Sequence, residues 1–223
     1  MANEKRSQII YDLIYNQIDV AQAFEILDLL LENIDDKEIK NWIKLEKNGY
    51  DKEDEVPNYR IVRATIKGSY IVGNTKLNNL PLAIKPEYIS EYEHIPIKCG
   101  INEILQYALS EKESENHNLM MPIHVGFAQS ISMVNGQICE ANAHLSIYAY
   151  TNIVGNLKNK LLEIFKELEK TYGNLDELCI KFEDKSKETQ VKNVIINIIT
   201  DNSTKIGDSN KITNSIIGDA NEK

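Results

Sequence analysis

The chain has 223 residues, 42% hydrophobic and 26% charged, with a formal net charge of -9. That length supports one large domain or a domain with an appendage. The acidic balance argues against a protein that grips a phosphate backbone, which needs a basic face.

No apolar run approaches the roughly 18 to 20 residues that span a bilayer, and the polar opening 1–8 does not read as a signal peptide. Three widely spaced cysteines, Cys99, Cys139 and Cys179, suit reduced, mostly buried thiols in a cytoplasm rather than a disulfide framework.

In chain order, Ile10, Leu13, Ile14, Ile18, Ala21, Phe24, Leu27 and Leu31 recur at helical spacing and predict one long amphipathic helix. Residues 33–36 interrupt it, and Asp35 with Glu38 has the pattern of a capping box. A shorter helix carries Ile39, Trp42, Ile43 and Leu45, with Gly49 as its left-handed stop. The short connection predicts an antiparallel helical hairpin.

Beyond the acidic loop 51–55 the period changes from 3.6 towards 2. Residues 59–66 and 69–72 predict a strand pair around Lys67-Gly68, and 74–86, rich in Asn and Pro, predicts an irregular excursion. Residues 95–98 predict a short strand, and Ile101, Ile104, Leu105, Ala108 and Leu109 a third helix that gives way to a charged loop at 111–118. Residues 128–133 and 139–147 fit strand or short helix about equally, around the turn dipeptide Asn135-Gly136. Val154, Leu157, Leu161, Ile164, Phe165, Leu168 and Tyr172 predict a last long helix ended by Gly173; 175–182 is read as a short strand or turn.

The composition shifts after 190. β-Branched residues alternate with Asn, Ser, Thr, Gly and Asp, and Ile206-Gly207-Asp208-Ser209-Asn210 returns as Ile217-Gly218-Asp219-Ala220-Asn221. Such residues favour strands, tight corners and Asn ladders. The expectation is an α+β body over 1–182, in which an N-terminal helical hairpin and a late long helix pack with a small antiparallel sheet. A linker at 183–190 then leads to a strand-rich, β-arch or solenoid-like tail at 191–223. The tail is read as a homotypic pairing module using Val194, Ile196, Ile198, Ile206, Gly207, Asn210, Ile212, Asn214, Ile217 and Gly218; a disordered tail or a strand added to the body are the alternatives.

The stretch Ile39-Lys40-Asn41-Trp42-Ile43-Lys44-Leu45-Glu46-Lys47-Asn48-Gly49-Tyr50, followed by Val56-Pro57-Asn58-Tyr59-Arg60, resembles the N-terminal signature of AbiTii-type abortive-infection proteins, a bacterial phage-resistance family. Trp42, Asn48, Gly49, Tyr50, Pro57, Tyr59 and Arg60 carry the likeness together with Glu46, and Gly100-Ile101-Asn102-Glu103 extends it. The resemblance spans about 7–172 and implies a defence role, without assigned catalytic residues. Thr204-Lys205-Ile206-Gly207-Asp208-Ser209-Asn210 also looks like the core of RIP-homotypic interaction motifs and bacterial amyloid signalling sequences.

Enzyme chemistry finds little purchase. His94, His117, His124 and His144 lack metal-ligand spacing, although Glu140 and His144 would share a helix face. Cys99 beside Gly100 is a nucleophile candidate at a helix start, weighed against a plain buried thiol. No nucleophile elbow, P-loop or dinucleotide fingerprint occurs, so no cofactor is expected. On the body, Tyr59, Arg60 and Arg63 are the candidate functional surface, with Lys67 close by and a solvated strand face as the bland reading.

Three functions follow as expectations. The first is a defence protein that self-associates through its tail. The second is an enzyme of unrecognised type, such as a nuclease or nucleotide-degrading effector. The third is a module that recognises a phage component through the strand-region arginines.

Overall fold

The structure, a computed structural model, describes residues 6–113, 120–145 and 148–200. In place of the one long N-terminal helix that the spacing predicts there are two, α1 (Gln8–Ile14) and α2 (Val20–Leu30). Asn16 turns left-handed at φ 55° between them, and Asp19 opens α2 with a reciprocal capping box to Gln22. The apolar spacing carries across the break because both helices bury the same kind of stripe. Next comes α3 (Lys37–Asn48), capped by Asp36 rather than Asp35: its carboxylate accepts from the amides of Glu38 and Ile39. Gly49, at φ 98°, ends it as expected. Phe24 and Trp42 join α2 to α3 with ring centroids 5.3 Å apart.

The sheet is antiparallel, in the order β2 (Thr75–Pro81), β1 (Ile61–Val72), β5 (Gln137–Leu145) and β4 (Met120–Pro122), with β3 (His94–Pro96) on β1 as well. Its long member is β1 (Ile61–Val72), which runs straight through Lys67-Gly68. A Cβ at Gly68 would sit 2.5 Å from the carbonyl oxygen of Glu140, so this glycine permits a close strand approach, not a turn. The hairpin turn lies at Gly73-Asn74, where Val72 pairs with Thr75, and it delivers β2 (Thr75–Pro81) into the stretch expected to be irregular.

Then follow α4 (Pro86–Tyr92), β3 (His94–Pro96), α5 (Ile101–Glu113), β4 (Met120–Pro122), α6 (Val125–Ile131) and β5 (Gln137–Leu145). α5 thus continues to Glu113, inside the expected charged loop. Asn135-Gly136 joins a helix to a strand, and the Gln129 side chain clamps it by donating to the Gly136 carbonyl and accepting from the Ile138 amide.

α7 (Ala149–Tyr172) is the central rod, with Leu157, Leu161, Ile164, Phe165 and Leu168 fully buried against α1, α2, α5 and α8 (Lys185–Ile199). Residues 173–184 hold no helix or strand, yet Leu175 and Ile180 are buried.

The largest correction concerns the C-terminal segment. Residues 185–199 form the helix α8, so the strand-rich reading of the tail fails there. Asp184 caps it by accepting from the amides of Ser186 and Lys187, and the stretch expected as a linker holds this cap and the first turns. Val191, Ile195 and Ile199 are buried at four-residue spacing, while Val194, Ile196 and Ile198 are half-buried on the same helix. Isoleucines at 195, 196, 198 and 199 satisfy both a period of 2 and one of 3.6. The cap and a prepared groove on the body select the helix. Ile206, Gly207, Asn210, Ile212, Asn214, Ile217 and Gly218 lie outside the described residues. Among those described, no helix is long and apolar enough to cross a membrane.

Candidate functional site

α3 buries Ile39, Trp42, Ile43 and Glu46, an apolar stripe with a carboxylate at its fourth position. The Glu46 side chain meets Arg60, which enters from the 3-10 turn Asn58–Arg60, and both side chains are 0% exposed. Arg60 Nε donates to Glu46 Oε2 at 3.0 Å and Nη2 donates to the same oxygen at 2.6 Å. Its Nη1 reaches the carbonyls of Ile97 (3.1 Å) and Cys99 (2.7 Å), fixing the end of β3 against α3.

Glu46 Oε1 accepts from the hydroxyls of Tyr50 (2.6 Å) and Tyr59 (2.7 Å), and Trp42 Nε1 donates to the Tyr59 oxygen at 2.9 Å. Burial, and then the Glu46 charge, push both phenols far above their ordinary pKa, so they stay protonated donors. The Arg60 guanidinium also stacks on the Tyr50 ring, 4.9 Å from its centroid.

The backbone near the pair is as tight. Gly49 bridges to Cys99, and a Cβ there would lie 2.8 Å from the Lys98 carbonyl oxygen. A Cβ on Gly100 would lie 2.5 Å from the carbonyl oxygen of Lys47 and 3.0 Å from the carbonyl carbon of Asn48. Chemically this is a closed charge: the carboxylate is saturated by donors and has no room for a substrate. Its work is to lock α3, the 3-10 turn and the 97–100 segment together. Breaking such a pair by removing one partner costs about 3–5 kcal/mol.

Arg60 is therefore withdrawn from the expected surface cluster. Tyr59 is half-buried within the same network, and only Arg63 points outward, with an 80% exposed side chain loosely paired to Glu93 at 4.0 Å. Sequence reasoning leaves Glu46 out of the candidate site residues; the signal is a charge at an apolar-stripe position, seven residues after Ile39.

The structure brings the signature residues to one place. Trp42, Tyr50 and Pro57 line an open cleft of about 520 Å³ that Ile199 and Thr200, the last described residues, also line. From the hub, Lys160 of α7 continues the chain of contacts: its ammonium lies 5.0 Å from the Tyr59 ring centroid and donates to the Ile198 carbonyl. Signature, central helix and α8 are thus one connected assembly.

The other candidates separate. Glu140 and His144 lie on β5, not on a helix, and point to the solvent face of the sheet. Both ring nitrogens of His144 are shielded and lack a partner among the described residues. Burial, then the Lys67 charge, lowers its pKa. Cys99 is half-buried, and burial with the nearby Glu103 raises its pKa, the opposite of an activated nucleophile. Cys139 and Cys179 are exposed, not buried as expected. His117 lies outside the described residues, and among those described no group of His, Cys, Asp and Glu could hold a metal ion.

A family model, AbiTii, matches residues 7–194. The chain belongs to the AbiTii family. Membership supports an abortive-infection role against phage, as the signature implied. The AbiTii match runs past Tyr172 to residue 194 and so takes in most of α8, in keeping with a helix that is part of the folded body. No curated protein and no solved structure matches the chain significantly.

Proposed function

We propose that this AbiTii protein is a phage-defence effector whose folded body presents residues 201–223 for association with further copies of the chain. The observation that carries the reading is how α8 is fastened. Val191, Ile195 and Ile199 are buried, Lys160 holds the Ile198 carbonyl, and Lys192 donates to the Asp35 carbonyl at 2.7 Å while pairing with Glu188. A helix held along its length fixes the point from which the next segment departs.

That segment contains the pentad repeated at 206–210 and 217–221, and three Lys stand against three Asp and one Glu, so copies repel little. Linking bodies in an array raises their effective concentration without any new contact on the body itself.

The test is a chain ending at Thr200. It should fold, run at monomer mass in light scattering, and fail to protect cells from phage. A shortened chain that keeps both the mass and the protection of the full one removes association from the function.

A further inference from the structure

We propose that the cleft beside Trp42 is a docking site for residues 201–206 of the same chain, with Ile206 on its apolar floor and Lys205 between two carboxylates at its rim. The place where α8 ends argues for this occupant. Ile199 and Thr200 line the cleft, so the following residues start at its wall. Ile199 is buried and the Thr200 hydroxyl donates to the Ile196 carbonyl at 2.6 Å, which fixes that exit. A chain extends at most about 3.3–3.6 Å per residue, so Ile206 stays within about 20 Å of Thr200. So short a tether gives an effective concentration of about a millimolar, enough to populate a weak contact.

The cleft is built before anything enters it. Trp42 is held by its bond to Tyr59. The Lys98 ammonium gathers the carbonyls of Asp51, Lys52 and Asp54 at 2.9, 2.6 and 2.8 Å, and so holds the loop that leads to Glu55 and Val56. Leu45, Val56 and Pro57 are half-buried and form the apolar floor with the Trp42 ring, while Glu38 and Glu55 are exposed carboxylates. Among the described residues neither carboxylate has an ion-pair partner. The sequence after Thr200 matches that order. Asp201-Asn202-Ser203-Thr204 has no cation and no large apolar side chain; Lys205 and Ile206 are the first of each, and they are adjacent. Asp201 is repelled by the two carboxylates, so Lys205 is the residue that sits between them. Docking covers Ile206, the first residue of the pentad at 206–210. One consequence rests on the association proposed above: a docked copy withholds that pentad from pairing until the cleft releases it.

The test uses the full chain with labelled Ile, Leu and Val methyl groups, at a dilution where light scattering gives monomer mass. NMR should show contacts from the Ile206 methyls to the Trp42 ring and to the Leu45 and Val56 methyls. The docked-to-free ratio, read from the Val56 methyl shift, should fall about tenfold in Ile206→Ala and about fivefold in Lys205→Glu. Adding Glu55→Lys to Lys205→Glu should restore it. Glu55 is exposed, and an unchanged amide spectrum for the body certifies the fold of each variant. The proposal is overturned if the monomer shows no such contacts, if they arise only between differently labelled copies in an assembled sample, or if Lys205→Glu leaves the ratio unchanged. Chains that dock in this way yet stay monomeric at every concentration would sink the association reading and leave the docking standing.

Discussion

Glu46 and Arg60 form a two-point ion pair with no solvent on either side chain, their closest atoms 2.6 Å apart. Each also satisfies groups from other elements, so the pair is a junction rather than a decoration of α3.

Removing one partner strands the other charge in the interior. Glu46→Leu or Arg60→Met should each lower unfolding free energy by about 3–5 kcal/mol in urea titrations. The double variant should recover part of that loss, because no lone charge remains buried. Equal additive losses would mean that the two residues act independently.

Gly49 and Gly73 both have positive φ, at 98° and 60°, but only Gly49 is crowded. Gly49→Ala combines a disfavoured backbone with a Cβ 2.8 Å from the Lys98 carbonyl oxygen, and should cost about 1–3 kcal/mol or more. Gly73→Ala meets nothing within 4 Å and should cost only about 1–2 kcal/mol, the left-handed penalty. Thermal melts of the two variants give the comparison.

His144 makes a prediction with a sign. Its folded pKa lies below the ordinary value near 6.5, because burial and the Lys67 charge disfavour the imidazolium. Stability from this residue is complete above that value and is lost as pH falls through it towards the lower folded pKa. The urea midpoint should therefore drop between about pH 7.5 and pH 5.5, and His144→Gln should make the drop shallower. A slope unchanged by the substitution would assign the acid sensitivity elsewhere.

Where the chain is cut decides whether it folds. Ending it at Gln190 removes the buried Val191, Ile195 and Ile199, each contributing about 1.5–3 kcal/mol of burial. That is a large share of a typical stability of about 5–15 kcal/mol. The chain to 190 should lose cooperative unfolding by circular dichroism, and the chain to 200 should keep it.

What can be read from the sequence depends on how many constraints each segment carries. α7 shows seven apolar positions at helical spacing and a closing glycine, and α3 shows Trp42 and Gly49, so both are legible with their ends nearly right. The hairpin is misplaced because Lys67-Gly68 looks like a turn, while the true need for Gly68 is the proximity of β5, a long-range fact. α8 is lost because its isoleucines fit two periods, and only the groove beside α7 and α3 chooses between them. At the candidate site, residue types give Trp42, Tyr50, Tyr59 and Arg60 but not their direction. Arg60 reads as a surface cation until Glu46 is placed opposite it.

The most direct measurement is amide hydrogen exchange over 191–199 in the full chain at high dilution, where association is absent. Cooperative helix protection on the scale of α7 is the predicted result. Rapid exchange at dilution, with protection gained only at concentrations where the chains assemble, would contradict the account and return this segment to the association element.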